Sequence, residues 1–481
     1  MQSETPSLPL IEELAPTLQP EDAFVCMAGR PHCLFLDSAL KHPTLGRYSF
    51  VTADPFDFLE LPADDGDALG VLEKKLGQLS SPNVSGLPPF QGGAAGLLGY
   101  DLGRSLERLP TPKIDDFNIP ALAVGFYDVV VAFDHVAGRT WIISQGFPEI
   151  EPSRRRRRAE QRLAEFRGWI ANCGDNSWSG SCTAAPETTV QLSSQRSDRI
   201  DLSPQFPVPG VPNVTSNFPK EEYLRAVRCV IDYIHAGDVF QVNLAQRLMT
   251  PMQDDSISLY RRLRRCNPAT FAGYFDLGEF QIVSASPERF LRVFDREVET
   301  RPIKGTRPRT GDAEVDRAAE IELLASEKDR AENVMIVDLM RNDLARACEA
   351  RSVRVGQLCG IEAYEHVLHL VSSVHGRLRD DRSPIDLLRA AFPGGSITGA
   401  PKIRAMEIIA ELEPTARGAY CGSLGYLGFD GSLDWSILIR TITAGRGWLQ
   451  FPVGGGIVAD STPEKEYEET LHKAAGMLRA L

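Results

Sequence analysis

The sequence predicts a protein of both helices and strands, in which a strand-rich first segment precedes a second segment of alternating helices and strands. From Ala23 to about Phe133, runs such as CLFLDSAL, GRYSFVTADP, GAAGLLGY and LAVGFYDVVVAF have the composition of strands separated by turns. From Lys220 onward helical and strand patterns alternate, beginning with EEYLRAVRCVIDYIHAGD, an amphipathic helix expected to end near Gly237. With 481 residues, two cores or one core fed by two segments are expected.

These patterns divide the chain into three parts. Residues 10–150 form the strand-rich N-terminal segment, residues 151–218 a charged helix and linker, and residues 219–481 the catalytic segment. Arg154–Arg158 begin a helix that runs to about Ile170, and its glutamates favour a solvated helix face over an RNA-binding surface. The remainder, residues 171–218, is rich in Ser, Thr, Pro, Gly and Asn and predicts a linker or long surface loop.

Composition excludes several classes of function. A net charge of −13 argues against a nucleic-acid partner, so a small anionic substrate would need a locally positive pocket or a cation. No run approaches the roughly 18 apolar residues of a membrane span, so no membrane association is expected. The N-terminus lacks the pattern of a signal peptide, and the nine cysteines contain no CxxC pair. We therefore expect a cytoplasmic protein with reduced thiols.

The candidate chemistry centres on Glu288 and Lys304. Glu288 lies in IVSASPERF and Lys304 in ETRPIKGT, two segments with strand-like composition. Adjacent strands would bring the two side chains together, with Glu288 as acid and Lys304 as nucleophile.

Two glycine-rich stretches suggest close backbone approach without matching a nucleotide-binding motif. Residues 394–402, GGSITGAPK, lack the GK of a P-loop, which excludes that NTPase motif. They still predict a loop near an anion, with Pro401 in the first turn of the next helix. Gly454, Gly455 and Gly456 lack the GxGxxG spacing, so no nicotinamide cofactor is indicated. These three glycines fit either a tight turn or close approach to a carboxylate.

Carboxylates and histidines supply further candidates. Ser326 is the expected N-cap of a helix that runs to about Ala347 and carries Glu332. The last helix starts at Ser461-Thr462-Pro463 and turns Glu469 away from its apolar stripe. Glu469 is therefore a solvated acid unless a metal and substrate lie across the helix. The stretch HVLHLVSSVHG is strand-like, which disfavours a zinc site formed by His366, His369 and His375 and favours one histidine facing a pocket.

Six stretches occur in the order found in one enzyme family. They are GDVFQVNLAQR (237–247), SASPERF (284–290), RPIKGT (301–306), DRAENVMIVDLMRND (329–343), FPGGSITGAPK (392–402) and GGGIVADSTPEKEYEETLHKA (454–474). Together they resemble the chorismate-utilising enzymes, strongly over residues 220–481 and more weakly over residues 10–140. The resemblance implies an α+β fold in which large, mainly antiparallel sheets pack as a sandwich with helices outside.

Within this family, the residue at position 304 distinguishes two branches. Anthranilate synthase large subunits usually carry alanine there, whereas component I of aminodeoxychorismate synthase carries lysine, and this chain resembles the latter at Lys304. The resemblance implies that Lys304 attacks C2 of chorismate while Glu288 protonates the departing C4 hydroxyl. Ammonia then adds at C4 and expels the lysine, giving 4-amino-4-deoxychorismate for para-aminobenzoate and folate biosynthesis.

The resemblance also assigns the remaining site residues. Glu332 and Glu469 would hold Mg²⁺, which in turn holds the ring carboxylate. Thr306 and His369 would join Glu288 and Lys304 as catalytic residues, on the ring side of the substrate. The expected substrate contacts are Ser396, Lys402, Tyr420, Arg440, Gly454, Gly455 and Gly456. Ser38, Arg47 and Pro268 match the region where relatives bind tryptophan, as an inhibitor or a buried structural ligand.

No glutaminase domain is visible in the sequence, so a separate glutamine amidotransferase subunit is expected to supply ammonia. Three alternatives remain. Anthranilate synthase component I differs in aminating C2, and Lys304 argues against it. Isochorismate and salicylate synthases carry their lysine elsewhere, and a non-catalytic tryptophan-binding relative is disfavoured by retention of Glu288, Lys304, Glu332 and Glu469.

Overall fold

The computed structural model describes residues 9–42, 45–63, 65–171, 202, 204–364 and 367–481. The strands in these residues are β1 (Leu10–Leu14), β2 (Leu34–Asp37), β3 (Tyr48–Thr52), β4 (Asp57–Leu61), β5 (Gly93–Leu98), β6 (Leu122–Tyr127), β7 (Val129–Asp134), β8 (Arg139–Ser144), β9 (Phe206–Pro207), β10 (Thr215–Ser216), β11 (Gln241–Pro251), β12 (Phe271–Asp276), β13 (Phe280–Ser286), β14 (Arg289–Phe294), β15 (Glu297–Thr300), β16 (Ile303–Pro308), β17 (Arg354–Ala363), β18 (Val367–Arg377), β19 (Gly399–Ala400), β20 (Ser423–Gly428), β21 (Leu433–Ser436), β22 (Thr441–Gly445) and β23 (Trp448–Ile457). The helices are α1 (Pro20–Met27), α2 (Ala68–Leu76), α3 (Gly103–Leu106), α4 (Pro152–Ala171), α5 (Lys220–His235), α6 (Ser256–Cys266), α7 (Ala313–Ala325), α8 (Glu327–Ala345), α9 (Pro384–Ala391), α10 (Lys402–Leu412) and α11 (Pro463–Leu478). None of these helices has the length and apolar character needed to cross a membrane.

The described strands form two large antiparallel sheets. The first has the order β1-β8-β7-β3-β2-β12-β13-β22-β23-β11-β10-β9, with β19 also paired to β11. The second has the order β16-β18-β15-β14-β21-β20-β5-β6-β4, with β17 paired to β18. The predicted α+β fold with mainly antiparallel sheets is therefore confirmed.

The two sheets pack face to face, and helices cover their outer faces. Leu97 and Leu98 of β5 show this arrangement, because successive side chains of a strand point to opposite faces. Leu97 joins the core between the sheets with Phe50 of β3, whereas Leu98 joins the core that also contains Met340 of α8 and Leu388 of α9. The sandwich with helices outside is confirmed.

Strands from the N-terminal and catalytic segments are neighbours in both sheets. In the first sheet β2 pairs with β12, and in the second β5 pairs with β20. Both layers of the sandwich therefore draw on both ends of the sequence. The boundaries near residues 150 and 219 stay predictions.

Helices interrupt the first segment, which is therefore less purely strand than the sequence predicted. Helix α1 has Pro20 at its first position and acidic residues in its first turn, and it buries Phe24 and Met27. Helix α2 begins after Asp67, whose side chain accepts a hydrogen bond from the Gly70 amide. These start signals outweigh the β-like composition around them.

The predicted arginine-rich helix is present as α4, but its arginines are not simply solvated. The Nε atoms of Arg155 and Arg158 donate to the carbonyl oxygens of Gln145 and Phe147 at 2.8 Å and 2.6 Å. Two of the five arginines therefore attach the helix to the chain that follows β8. Residues 172–201 and 203 of the predicted linker lie outside the described residues.

Local sequence signals correctly predicted the end of α5 and the start of α8. Helix α5 ends at His235, shortly before Gly237 with a φ of +85°. Ser326 caps α8 by accepting a hydrogen bond from the Asp329 amide, as predicted. The thiol prediction is wrong at one position, because Cys26 is disulfide-bonded whereas the other six described cysteines are free.

Candidate active site

Glu288 lies between β13 and β14 and is buried, with 4% of its surface exposed. The Ser396 hydroxyl donates to its Oε1 at 2.6 Å. Burial raises the pKa of Glu288 to about 7, although the Ser396 hydrogen bond and the charge of Lys304 lower it. A carboxyl group with this pKa can give up or take a proton near neutral pH.

Lys304 reaches the same place from β16. Strands β16 and β15 pair with successive parts of the same edge of β18, and β15 also pairs with β14. Glu288, which directly precedes β14, and Lys304 therefore come from neighbouring strands. The Lys304 ammonium donates to the Ser396 carbonyl at 3.3 Å. Burial lowers the pKa of Lys304, and the charges of Glu332 and Glu288 oppose that shift. A lowered pKa increases the fraction of neutral amine, which is the nucleophilic form.

A β-bulge sets the direction of the Lys304 segment. The register with β18 shifts between Lys304 and Thr306, which leaves Gly305 as the extra residue. Gly305 has a φ of +75°, and a Cβ there would lie 2.8 Å from Leu323 Cδ1. Both conditions favour glycine after the lysine.

Ser396 connects the acid to the amine. It lies in the 3-10 turn Gly395–Ile397, which α9 precedes and β19 follows. Its hydroxyl contacts Glu288 and its carbonyl contacts Lys304. The glycine-rich loop therefore forms one wall of the site. Pro401 proves to be the N-cap of α10 rather than part of its first turn.

Arg440 is half-buried beside this cluster and has a φ of +51°. Burial lowers its pKa, and the nearby charge of Glu288 raises it less than burial lowers it. In the described part of the chain no carboxylate forms an ion pair with this guanidinium. Tyr420 is also buried. The residue after it, Cys421, donates its amide to the Leu438 carbonyl at 2.8 Å, which places Tyr420 beside the segment that leads to Arg440. A guanidinium of this kind is suited to bind a carboxylate.

His369 is the histidine of β18 that lies in this region. It is buried, and its Nδ1 lies 2.9 Å from the Thr306 hydroxyl. Burial, together with the charge of Arg440, lowers the pKa of His369 to about 3. The imidazole is therefore neutral at physiological pH. His366 lies outside the described residues, and His375 contacts Ser373 farther along the strand.

Gly454, Gly455 and Gly456 belong to strand β23 and pair with β11, so the tight-turn alternative is wrong. Of the three, Gly455 lies closest to protein carboxylates. A Cβ at Gly455 would lie 3.2 Å from Glu466 Oε2 and 3.4 Å from Glu469 Oε1. Because the glycines of β23 carry no side chains, they leave room for the first turns of α11.

Glu332 and Glu469 face each other from α8 and α11. Glu332 is 14% exposed, and burial raises its pKa although Lys304 and Lys328 lower it; the charge of Glu469 also raises it. Glu469 is 47% exposed, and its contact with Lys473 at 2.7 Å outweighs burial and lowers its pKa. The predicted departure of Glu469 from the apolar stripe is therefore observed.

These two carboxylates fit a magnesium ion chemically. Both offer the oxygen donors that Mg²⁺ prefers, and their mutual repulsion would be relieved by a cation. An ammonium group already lies near these acids, because Lys328 is 4.0 Å from Glu332 and 3.7 Å from Glu466. A divalent cation would supply the same compensation at shorter range.

Sequence reasoning missed three buried polar residues at this site. The side-chain amide of Gln241 and the Oδ1 atom of Asn243 have no protein partner in the described structure. Gln241 lies against Gly456, since a Cβ there would be 2.5 Å from its Nε2. Glu466 of α11 is buried and accepts a hydrogen bond from Ser461 at 2.6 Å. The available signal was the two amides alternating with apolar residues in FQVNL.

Lys402 is not brought to this cluster. Its ammonium donates to Asp343 Oδ2 at 2.7 Å and to the Ala391 carbonyl at 2.6 Å. These bonds join the start of α10 to α8 and to the end of α9. The expected substrate contact by Lys402 therefore conflicts with its position, because two protein acceptors already hold the ammonium.

A second cavity lies between the sheets near the three residues expected to bind tryptophan. Ser38 lines it together with apolar side chains such as Tyr48, Phe50 and Tyr426. Arg47 and Pro268 are not among its lining residues, and Arg47 instead forms an ion pair with Asp134 at 2.7 Å. The cavity combines apolar and charged groups, as an amino-acid ligand would require.

Comparison with known proteins adds to this geometry. Residues 47–479 match the family described as chorismate binding enzyme. The chain is 43% identical to anthranilate synthase component 1 of Thermus thermophilus over 82% of this chain and 78% of the relative. It is 39% identical to aminodeoxychorismate synthase component 1 of Klebsiella aerogenes over 95% of both chains. A solved anthranilate synthase component I from Streptococcus pneumoniae has a TM-score of 0.73 and 31% identity, covering 91% of this chain and 93% of that one.

Proposed function

The chain belongs to the chorismate-binding enzymes, and on that premise we propose that it is component I of aminodeoxychorismate synthase. It would convert chorismate and ammonia to 4-amino-4-deoxychorismate, a precursor in para-aminobenzoate and folate biosynthesis. Relatives of both the anthranilate and the aminodeoxychorismate type match at similar identity. The observation that carries the choice is Lys304, whose amine and the Glu288 carboxyl both contact Ser396.

The proposed reaction uses these two groups in sequence. The neutral Lys304 amine bonds to C2 of the ring, the ring double bond shifts, and the C4–O bond breaks. Glu288 gives its proton to the departing hydroxyl, which leaves as water. Ammonia then bonds to C4, the double bond shifts back, and the C2–N bond to Lys304 breaks. Glu288 takes the proton released from ammonia, which restores both groups.

Other side chains would orient the substrate. Arg440 offers a bidentate fork to the enolpyruvyl carboxylate, and Tyr420 borders the same position. Thr306 and the neutral His369 lie on the ring side. The unpartnered side-chain amide of Gln241 and Oδ1 atom of Asn243 would gain hydrogen bonds from a polar ligand, which favours occupation of this pocket.

Magnesium is proposed as the cofactor, held by Glu332 and Glu469. When bound it would attract the ring carboxylate and offset the negative charge of the cleft. Glu469→Gln should therefore weaken chorismate binding in Mg²⁺, as measured by calorimetry. Activity of this variant that persists in excess EDTA would contradict the assignment.

Ammonia is proposed to come from a separate glutamine amidotransferase subunit, because no glutaminase domain was recognised in the sequence. Tryptophan is proposed as a ligand of the second cavity, where Ser38 could contact its polar end and Tyr48 and Phe50 its ring. A cytoplasmic location is consistent with a chorismate-consuming enzyme.

The test of the proposed function is product identification. Purified chain is incubated with chorismate and Mg²⁺, with either an ammonium salt at alkaline pH or glutamine, and products are separated and identified by mass. We expect 4-amino-4-deoxychorismate with ammonium and none with glutamine alone. Anthranilate as the main product would instead establish the second candidate, which the 43% identical relative favours. Turnover of glutamine by the single chain would exclude the separate amidotransferase.

A further inference from the structure

Among the described residues, no strand pairs with the middle of one edge of β11 at the candidate site. On that edge β19 pairs with Gln241 and Val242, and β10 pairs with Leu248 and Met249. The backbone groups between these two pairings must find other partners. Arg417 donates to the Asn243 carbonyl at 2.7 Å, and Glu413 accepts from the Ala245 amide at 2.9 Å. Two side chains thus take the place of a missing strand.

These two side chains form a buried bidentate ion pair. Arg417 Nε and a terminal nitrogen donate to the two oxygens of Glu413 at 2.9 Å and 2.6 Å. Their side chains are only 3% and 6% exposed. A pair desolvated to this degree is stabilising only when every remaining donor and acceptor is bonded.

Arg417 also contacts two other walls of the site. Its other terminal nitrogen donates to the Ile397 carbonyl at 3.1 Å, next to Ser396. Its guanidinium carbon lies 5.8 Å from the centre of the Tyr420 ring, and its own carbonyl accepts from the Tyr420 amide at 3.1 Å. A single guanidinium therefore contacts β11, the Ser396 loop and the Tyr420 segment.

We propose that Glu413 and Arg417 are positioning residues of the active site, which hold these three walls at fixed relative positions without touching the reacting groups. The planar guanidinium provides donors in three directions at once, which a lysine ammonium on a single nitrogen does not reproduce. The inference deepens the proposed function, and its spectroscopic test is independent of that function.

The positioning has a measurable consequence at Glu288. The Ser396 hydroxyl, held by the loop that Arg417 contacts, lowers the pKa of Glu288 against the effect of burial. The other groups that act on this carboxyl are Lys304, which also donates to the Ser396 carbonyl, Arg440 and the Ile303 backbone, while Cys421 faces it as a thiol. Because the Ser396 hydroxyl and the Lys304 charge both lower the pKa of Glu288, loosening the loop should raise that pKa.

The experiment titrates the carboxyl of Glu288 by infrared spectroscopy. The band of the protonated group is assigned by its disappearance in Glu288→Gln, and its midpoint is measured without substrate. Ser396→Ala gives the reference shift for loss of the hydroxyl. We expect Arg417→Lys to move the midpoint upward, in the same direction as Ser396→Ala. Glu413→Asp, which keeps both charges and shortens the reach, should do the same and serves if Arg417→Lys does not fold.

Arg247→Lys is the matched control. Arg247 lies on β11, the strand that Arg417 contacts. It is 3% exposed and forms a bidentate contact with Asp116 at 2.5 Å and 3.0 Å. Its substitution should lower stability without moving the midpoint. An unchanged midpoint in the Arg417 and Glu413 variants, or an equal shift in Arg247→Lys, would overturn the proposal.

Kinetics separate this inference from the proposed function. With chorismate and ammonium, Arg417→Lys should lower kcat/KM by about tenfold or more, while Arg247→Lys stays within about twofold. Absence of turnover in the wild-type chain would refute the proposed function, and the infrared midpoints would still decide the positioning role.

Discussion

Glu288 and Arg289 are adjacent in sequence, yet they belong to two regions that hold buried charge in opposite ways. The first region is the candidate catalytic cluster of Glu288, Lys304, Ser396 and Arg440, which is called the cluster below. The arginine network consists of Arg289, Glu299 and Asp434. In the network, two nitrogens of Arg289 donate to the carboxylate of Asp434 and the third donates to Glu299, each at 3.0 Å. In the cluster, Arg440 has no carboxylate at ion-pair distance among the described residues.

The pKa directions follow this difference. Burial lowers the pKa of both arginines, but Asp434 and Glu299 outweigh burial at Arg289 and raise its pKa. At Arg440 only the more distant charge of Glu288 opposes burial, and the pKa is lowered. Paired charges connect strands to each other, whereas charges left without a protein partner are available to a ligand.

The largest expected effect is at Lys304. Lys304→Ala should reduce formation of 4-amino-4-deoxychorismate by at least about 10⁴-fold, because the nucleophile is lost. The unfolding transition should change little, since Lys304 pairs with no carboxylate of the arginine network. Mass spectrometry of the wild type with chorismate should reveal an adduct on Lys304. Wild-type rates in the variant would replace covalent catalysis by direct attack of ammonia guided by Glu288.

Arg289→Met should have the largest effect on stability. The substitution leaves Asp434 and Glu299 without their shared cation, which should cost about 3–5 kcal/mol of unfolding free energy in a urea titration. A loss below about 1 kcal/mol would show that the arginine network is not structural.

Arg440→Met tests the other half of the comparison. We expect KM for chorismate to rise about 100-fold, because a bidentate contact to a carboxylate is removed. The unfolding free energy should fall by less than in Arg289→Met, since no buried carboxylate loses its partner. Equal destabilisation in the two variants would remove the distinction between the regions.

Glu288→Gln should give the smallest effect, an increase in stability at alkaline pH. The pKa of Glu288 is raised from 4.5 to about 7 by burial, so its stabilising contribution is complete below about pH 4.5 and is lost as pH rises through about 7. At pH 8 the glutamine variant should therefore be more stable than the wild type by on the order of 2 kcal/mol. Urea unfolding at pH 5 and pH 8 measures this, and a variant less stable at pH 8 would contradict it.

Short-range patterns were sufficient for much of the structure. The strand runs of the first segment, the cap at Ser326 and the end of α5 near Gly237 all follow from neighbouring residues. The nearness of Glu288 and Lys304 also follows from strands close in sequence. Resemblance to a family then supplied roles for these residues, which remain proposals.

Which polar groups have partners was decided only by the tertiary structure. Lys402 is held by Asp343, 59 residues away, and Arg417 bonds to Asn243, 174 residues away. Gln241 and Asn243 keep atoms without partners because their neighbours on β23 are glycines. Periodicity and caps act within a few residues, so they were sufficient for the main helices and strands, whereas the α+β sandwich and the roles of Glu288 and Lys304 were implied by resemblance to the family. The tertiary structure decided which charges are paired, because hydrogen bonds of a few ångströms depend on how strands distant in sequence are brought together.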